Sequence, residues 1–264
     1  MTPRHFGFLL ACLVPVGVMG LVGCERPAKQ PNAAAKNRKA AELGLPDDTH
    51  VKLKQWRQID DFDQDLAQFE TVFWESRDTQ SLRRMIRETD LVKDKRVLEI
   101  GCGTGLLSLC CAQAGARHIV ATDINPSAIA NAAYNAEHLG LADKIDFRLV
   151  EATNSTAFAV IHRDERFDVI LSNPPWEDAP TNSFASYAFY DPHFDLLRSL
   201  LTDFRLHLGP SGRLLLAYGC VDAIKKAQAI ADEELLEFQI HDDRKIDQLP
   251  SNFLPGMLLE ITSP

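Results

Sequence analysis

Arg96-Val-Leu-Glu-Ile-Gly101-Cys-Gly103-Thr-Gly105-Leu-Leu-Ser-Leu109 reads as a short apolar strand, a turn with three alternating glycines, and the opening of a helix. An apolar run that stops at a glycine marks a buried strand, and glycines let the backbone turn sharply and approach a ligand with no Cβ in the way. Working outward, residues 118–122 form a second strand. Pro126 then suits the first turn of a helix continued by Ala128, Ile129, Ala132, Ala133, Ala136 and Leu139. Residues 145–150 and 167–171 are the third and fourth strands, 194–208 a long helix, 213–218 a fifth strand and 221–231 a helix. Two further strands fit at 234–240 and 256–261. This alternation predicts an α/β fold, a doubly wound, mostly parallel, seven-stranded sheet with its ligand at the carboxyl ends of the strands. Upstream, Ile59, Phe62, Leu66 and Phe69 recur at helical spacing, as do Leu82, Met85, Ile86 and Thr89. The sheet domain at 95–264 is therefore expected to be preceded by N-terminal helices in a flank at 51–94.

With 264 residues, 45% of them hydrophobic, the chain can bury the core of one such domain. Its 28 Lys and Arg against 37 Asp and Glu leave a net charge of -9, which excludes an all-over basic shell for nucleic acid. Any such contact has to be a local patch. The six cysteines form no C-x-x-C pair and the eight histidines no H-x-x-x-H, so neither a metal site nor a disulfide framework is read.

Residues 1–23 carry one charge, Arg4, then an apolar stretch from Phe6 to Val22 broken by Pro15 and several glycines. This is a signal-peptide layout, too short and interrupted for a stable spanning helix. Leu21-Val22-Gly23-Cys24 resembles the lipobox of bacterial lipoproteins, which implies that Cys24 is acylated and becomes a membrane-anchored N-terminus. The alternative is a leader that is not translated, with synthesis starting at Met19 and the protein remaining cytoplasmic. Residues 24–50 are expected to form a disordered tether: the stretch 25–42 holds five basic and two acidic residues, is rich in Ala, Pro and Asn, and has no aromatic.

The glycine turn departs from the dinucleotide pattern G-x-G-x-x-G, because Leu106 stands at its last position and a glycine at 105. Asp123 ends the second strand and Glu151 the third. Together, E-I-G-C-G-T-G and these two acids resemble the cofactor site of class I S-adenosylmethionine (SAM) methyltransferases. The resemblance implies that Gly101 and Gly103 pack under the methionine part of SAM and that Glu99 orders the loop. It further implies that Asp123 binds the ribose and that Glu151, with the Ala152 amide, reads adenine.

Just past the fourth strand stands Asn173-Pro174-Pro175-Trp176. This resembles the N/D-P-P-Y/F/W motif of methyltransferases acting on nitrogens conjugated to a planar system, a base amino group or a glutamine amide. Such a nitrogen is a poor nucleophile, its lone pair being delocalised. The Asn173 side-chain oxygen and the Pro174 carbonyl can accept both N–H bonds of the target and aim the lone pair at the methyl group, with no charged base required. Two prolines stiffen the backbone that presents them. Trp176 offers a flat face for stacking.

Phe73-Trp-Glu-Ser76-Arg-Asp78-Thr79 is similar to a segment of the glutamine methyltransferases that modify release factors, although one residue shorter and without the proline. The likeness makes Thr79 a SAM contact; the alternative is a helix cap by Ser76 or Asp78. Residues 177–191, with Tyr187, Phe189 and Tyr190, should wall a substrate pocket; Asp191 and His193 suggest acid-base chemistry, but a His near a Pro-containing helix start is more often structural, and neither is counted in the site. Arg83, Arg84, Arg87, Lys93, Lys95 and Arg96 form either a basic groove or a solvated face. The expected function is thus SAM-dependent methylation of a planar nitrogen, a protein or small-molecule amide ahead of a base. The alternative is a membrane-anchored SAM-binding or interaction lipoprotein without turnover, since SAM is made in the cytosol and an exported protein would face away from it.

Overall fold

The computed structural model describes residues 42–49 and 51–263. The leader, Cys24, and the tether through residue 41 together with His50 lie outside the described residues. Seven strands form the central sheet: β3 (Arg96–Ile100), β4 (His118–Asp123), β5 (Ile145–Leu149), β6 (Phe167–Ser172), β7 (Leu208–Cys220), β8 (Glu237–Ile240) and β9 (Asn252–Thr262). Their order is β5-β4-β3-β6-β7-β9-β8. The first five run parallel, and β9 inserts antiparallel between β7 and β8. The expected mostly parallel seven-stranded sheet is present, and strand order reverses between β3 and β6, which opens a crevice at their carboxyl ends.

Successive side chains of β3 feed opposite faces, as a strand period of two dictates. Val97 enters one apolar layer with α1 (Gln80–Glu88), α2 (Leu106–Gln113) and α3 (Pro126–His138). Leu98 enters the other, built with α4 (Asp195–Asp203) and α5 (Val221–Glu233). Both residues are fully buried. The helix foreseen at 194–208 is shorter, because the chain tightens into a 3₁₀ turn at Phe204–His207 and β7 already begins at Leu208.

One expectation is corrected. Of the two N-terminal helices only α1 exists; the stretch carrying Ile59, Phe62, Leu66 and Phe69 belongs to a hairpin of β1 (Leu53–Arg57) and β2 (Leu66–Phe69). All four residues of β2 are buried, so its apolar spacing reflects continuous burial and not a helical stripe. Helix α3 supplies the polar partners that make such burial possible. Asn131 Oδ1 accepts from the Phe69 amide at 2.8 Å and Asn135 Oδ1 from the Ala67 amide at 2.8 Å, while both side-chain nitrogens donate to the Ala67 carbonyl. Two helix asparagines thus stand in for a neighbouring strand.

Among the described residues, no helix is long and apolar enough to cross a membrane, and no cluster of three or more His, Cys, Asp or Glu side chains could hold a metal ion.

Candidate active site

Gly101, Gly103 and Gly105 all have positive φ (78°, 53° and 85°), the left-handed region that side chains disfavour. The loop they allow is tied down at both ends. The Gly101 and Cys102 amides both donate to the Thr122 carbonyl at 2.9 Å. Glu99, 2% exposed, accepts from the Ser108 amide at 2.9 Å and from the Ser108 hydroxyl, covering the first turn of α2. Burial pushes its carboxyl up to about 8. The role of ordering the loop is therefore visible in its contacts. Gly105 has a second reason to be glycine: a Cβ there would stand 3.0 Å from the Ala132 Cβ of α3.

Asp123 closes the other side of the loop. Its Oδ2 accepts from the Gly103 amide at 2.9 Å and its Oδ1 from the Asn125 amide at 2.8 Å, with the Ile124 amide also close, and the carboxyl retains acceptor capacity for a ligand. Burial raises this carboxyl to about 6 against the pull of those amides. Asn125 caps α3 through the Ser127 amide at 3.0 Å, with Pro126 in the first turn.

Between this loop and β6 lies a cavity of about 270 Å³. Thr79, Glu99, Gly101, Gly103, Asp123, Asn173 and Pro174 all line it, so seven of the sequence-predicted site residues meet in one place. Phe184, Tyr187 and Tyr190 wall the side where the segment 177–191 was expected. That segment is strapped to the proline motif: the Trp176 and Glu177 amides both donate to the Phe189 carbonyl, at 3.2 and 3.1 Å, and the Asp191 amide to the Glu177 carbonyl at 2.8 Å. Phe73 meets Phe189 edge-on at 5.2 Å.

Three predicted residues fall elsewhere. Glu151 and Ala152 are exposed on the turn after β5, where the Asn154 amide donates to the Glu151 carbonyl at 2.9 Å, and they do not line the cavity. Ser155, Thr156 and Ala157 line it instead, because the chain loops out and returns. Trp176 is not a cavity wall either. Its ring lies against Gly219, where a Cβ would come within 2.4 Å of Cη2, and packs on the layer of α4 and α5. Only glycine leaves room for it there. Asp191 accepts from the Leu196 and Leu197 amides at 2.9 and 3.0 Å, holding the first turn of α4, and also lines the cavity.

In the sequence Asp78 stands only as a candidate helix cap. It is 1% exposed, lines the cavity, and its Oδ2 accepts from Asn173 Nδ2 at 2.7 Å. Among the described residues, Asp78 Oδ1 and Asn173 Oδ1 are buried without a hydrogen-bond partner. A buried orphan acceptor costs about 1–3 kcal/mol, so two side by side point to a ligand that donates.

The basic residues disperse. Arg83 is buried against Asp61, Arg87 also reaches Asp61 at 3.0 Å, Lys93 reaches Asp90 at 3.6 Å, and Arg96 lies over Phe167 beside Glu165.

Comparison with known proteins agrees with this geometry. The chain is 38% identical over 175 residues to the release factor glutamine methyltransferase of Cereibacter sphaeroides, covering 61% of this chain and 60% of that one. It is 32% identical over 125 residues to the tRNA1(Val) (adenine(37)-N6)-methyltransferase of Shewanella loihica, covering 47% of this chain and 51% of that one. The chain thus spans between half and three-fifths of these relatives' length. In fold it is similar to the 16S rRNA N2 G1207 methyltransferase of Thermus thermophilus, solved with AdoMet and guanosine, with TM-score 0.51, 16% identity, and 81% of this chain and 51% of that one covered. It is likewise similar to the ribosomal protein L11 methylase of Lactobacillus delbrueckii subsp. bulgaricus, with TM-score 0.50, 21% identity, and 72% and 80% covered. The model of the family described as methyltransferase small domain matches residues 71–217, more than half of the chain, and the chain belongs to that family.

Proposed function

We propose that the protein transfers a methyl group from SAM to a nitrogen conjugated to a planar system. The observation that carries this reading is the Asn173–Pro174 pair at the end of β6, lining the same cavity as the glycine loop and holding a buried oxygen without a partner. The residues fit the donor. Gly101 and Gly103 give a backbone that a methionine moiety can approach, Asp123 keeps free lone pairs for ribose hydroxyls, and Thr79 stands at the start of α1 on the cavity wall. When bound, SAM supplies an electrophilic methyl group on a sulfonium. The chain's own work is to place the acceptor: Asn173 Oδ1 and the Pro174 carbonyl accept hydrogen bonds from its two N–H groups, which draws the nitrogen out of conjugation and turns its lone pair toward the methyl carbon; the nitrogen–carbon bond forms as the sulfur–carbon bond breaks, and the methylated nitrogen then loses one proton to solvent.

An amide of a protein or small molecule is favoured over a base. Among the described residues, the ionisable side chains of Asp, Glu, Lys, Arg and His type that line the cavity are Glu75, Asp78, Glu99, Asp123, Asp191 and Asp195, all acidic, with Glu99 and Asp78 held partly or wholly protonated by burial. A polyanionic acceptor would meet repulsion from the ionised members of this set, and three of the arginines of the candidate groove, Arg83, Arg87 and Arg96, face carboxylates. The names of the relatives support both glutamine and adenine N6 as acceptor types. We also propose that Cys24 carries a lipid anchor, supported by the leader and box at 1–24; palmitate labelling of wild type against Cys24→Ala tests it, and an unlabelled wild type refutes it.

Calorimetry of the purified protein with SAM tests the donor reading. One site with a Kd of about 1–100 µM is expected, the span common for enzyme substrates, and the absence of binding would end it.

A further inference from the structure

The cavity holds two buried carboxyl and amide groups locked to each other. Asn173 Nδ2 donates to Asp78 Oδ2 at 2.7 Å, and the remaining oxygen of each side chain is buried with no hydrogen-bond partner among the described residues. An amide has two ends of nearly equal shape and opposite polarity, and nothing in Asn173's own segment selects between them. A carboxylate does, because it accepts only and repels the amide oxygen.

We propose that Asp78 is the positioning residue of this site, its carboxylate holding the Asn173 amide with nitrogen inward so that the amide oxygen is kept as acceptor for the N–H of the molecule to be methylated. This rests on the planar-nitrogen reading above. Asp78 acts through Asn173 and is delivered by an element remote from β6, the segment leading into α1, 95 residues away in sequence.

The environment of Asp78 makes the pairing responsive to pH. Burial raises its carboxyl to about 7, against the hydrogen bond from Asn173 and the pull of the adjoining Thr79 polar groups, and the like charge of Glu75 on the same segment adds to the rise. Glu75 is itself paired with Arg77, and β9 faces the Asp78 backbone with Gly256, whose Cβ would collide with the Asp78 carbonyl. Once Asp78 is protonated, its O–H can donate to Asn173 Oδ1. The amide then gains a second stable orientation in which its oxygen is spent on Asp78.

The test uses the full chain labelled with ¹⁵N-asparagine and saturated with S-adenosylhomocysteine, with the Asn173 side-chain resonance identified by its loss in Asn173→Ala. In the wild type that resonance is expected to titrate with a midpoint between about pH 6 and 8, following the Asp78 carboxyl, and in Asp78→Asn to stay flat. Propionamide serves as the acceptor probe and N,N-dimethylpropionamide, which has no N–H, as its control. At pH above the midpoint propionamide alone should shift the Asn173 resonance, and Asp78→Asn should weaken its binding about tenfold, the worth of one ordered hydrogen bond. S-adenosylhomocysteine affinity should be unchanged. A wild-type Asn173 resonance indifferent to pH overturns the proposal, and so does equal propionamide binding by the two proteins. If Asp78→Asn does not fold, the wild-type titration alone decides. Failure of the wild type to bind the nucleoside at all would instead strike the function proposed above, while the pH titration would still judge the Asp78–Asn173 pairing.

Discussion

Asn173 Nδ2 stands 2.7 Å from Asp78 Oδ2, so the residue that marks the motif is hydrogen-bonded to a carboxylate from a segment 95 residues away in the chain. Its free oxygen is buried and unpartnered among the described residues. Removing that oxygen should damage transfer and spare donor binding. In Asn173→Ala, methyl transfer is expected to fall by about 10²–10³, the usual effect of deleting one preorganised hydrogen-bonding group. Labelled-methyl incorporation and calorimetry on the same samples check this; equal rates in the two proteins would refute the role.

Asp123 ties two loop amides and lines the donor end of the cavity. Asp123→Ala removes both the ligand's acceptor and the clamp on Gly103. SAM affinity is expected to drop by about 30-fold, equivalent to roughly 2 kcal/mol for hydrogen bonds to a charged group. Calorimetry showing less than a threefold change would mean that the ribose is held elsewhere.

Stability should depend on pH in an unusual direction. Burial holds Asp78 near 7, Glu99 near 8 and Asp123 near 6, all above their ordinary values. The folded state therefore keeps protons that the unfolded chain releases, and these three groups cost stability progressively as pH rises from about 4 to 8. Glu165 works the other way. Its hydrogen bond to Arg148 lowers it to about 2, and the stabilisation it gives is lost as pH falls below its unfolded value. The melting temperature of the ligand-free protein is expected to peak near pH 4 and to fall toward pH 8. Asp78→Asn should raise it most at pH 8, by about 2–4 °C for each kcal/mol recovered, and least at or below about pH 4, where the carboxyl is protonated in both states. A melting temperature that rises steadily to pH 8 would contradict the burial of these carboxyls.

Gly105 combines a φ of 85° with a Cβ position 3.0 Å from Ala132. Gly105→Ala is expected to destabilise by about 1–3 kcal/mol, through strain in the left-handed conformation and a forced separation of α2 and α3. A thermal melt within 1 °C of wild type, where about 2–4 °C per kcal/mol is expected, would show that the helices yield freely.

Much of this was legible in the sequence because the signals were local. The run from Arg96 to Gly105 gave strand, turn and helix within one residue of their places, and Pro126 marked the start of α3. What stayed hidden depended on partners distant along the chain. Leu66 and Phe69 looked helical because the asparagines that satisfy β2, Asn131 and Asn135, lie more than sixty residues away. Trp176 looked like a stacking platform until Gly219 opened a slot for its ring. Glu151 satisfied a pattern of acids at strand ends, yet the turn after β5 carries it outward and brings Ser155 and Thr156 to the cavity. Asp78 carried no motif of its own for this role; its meaning appears only when Asn173 is beside it.

The most direct test of the central claim is the chemical position of the transferred methyl. Cell fractions are incubated with the protein and methyl-labelled SAM, the labelled molecules are isolated, and their bonds are broken by acid and by mild base. Label bonded to nitrogen, released by acid as methylamine or retained on an N-methylated base, is the predicted result. Label released by mild base as methanol, or found on carbon or sulfur, would contradict it.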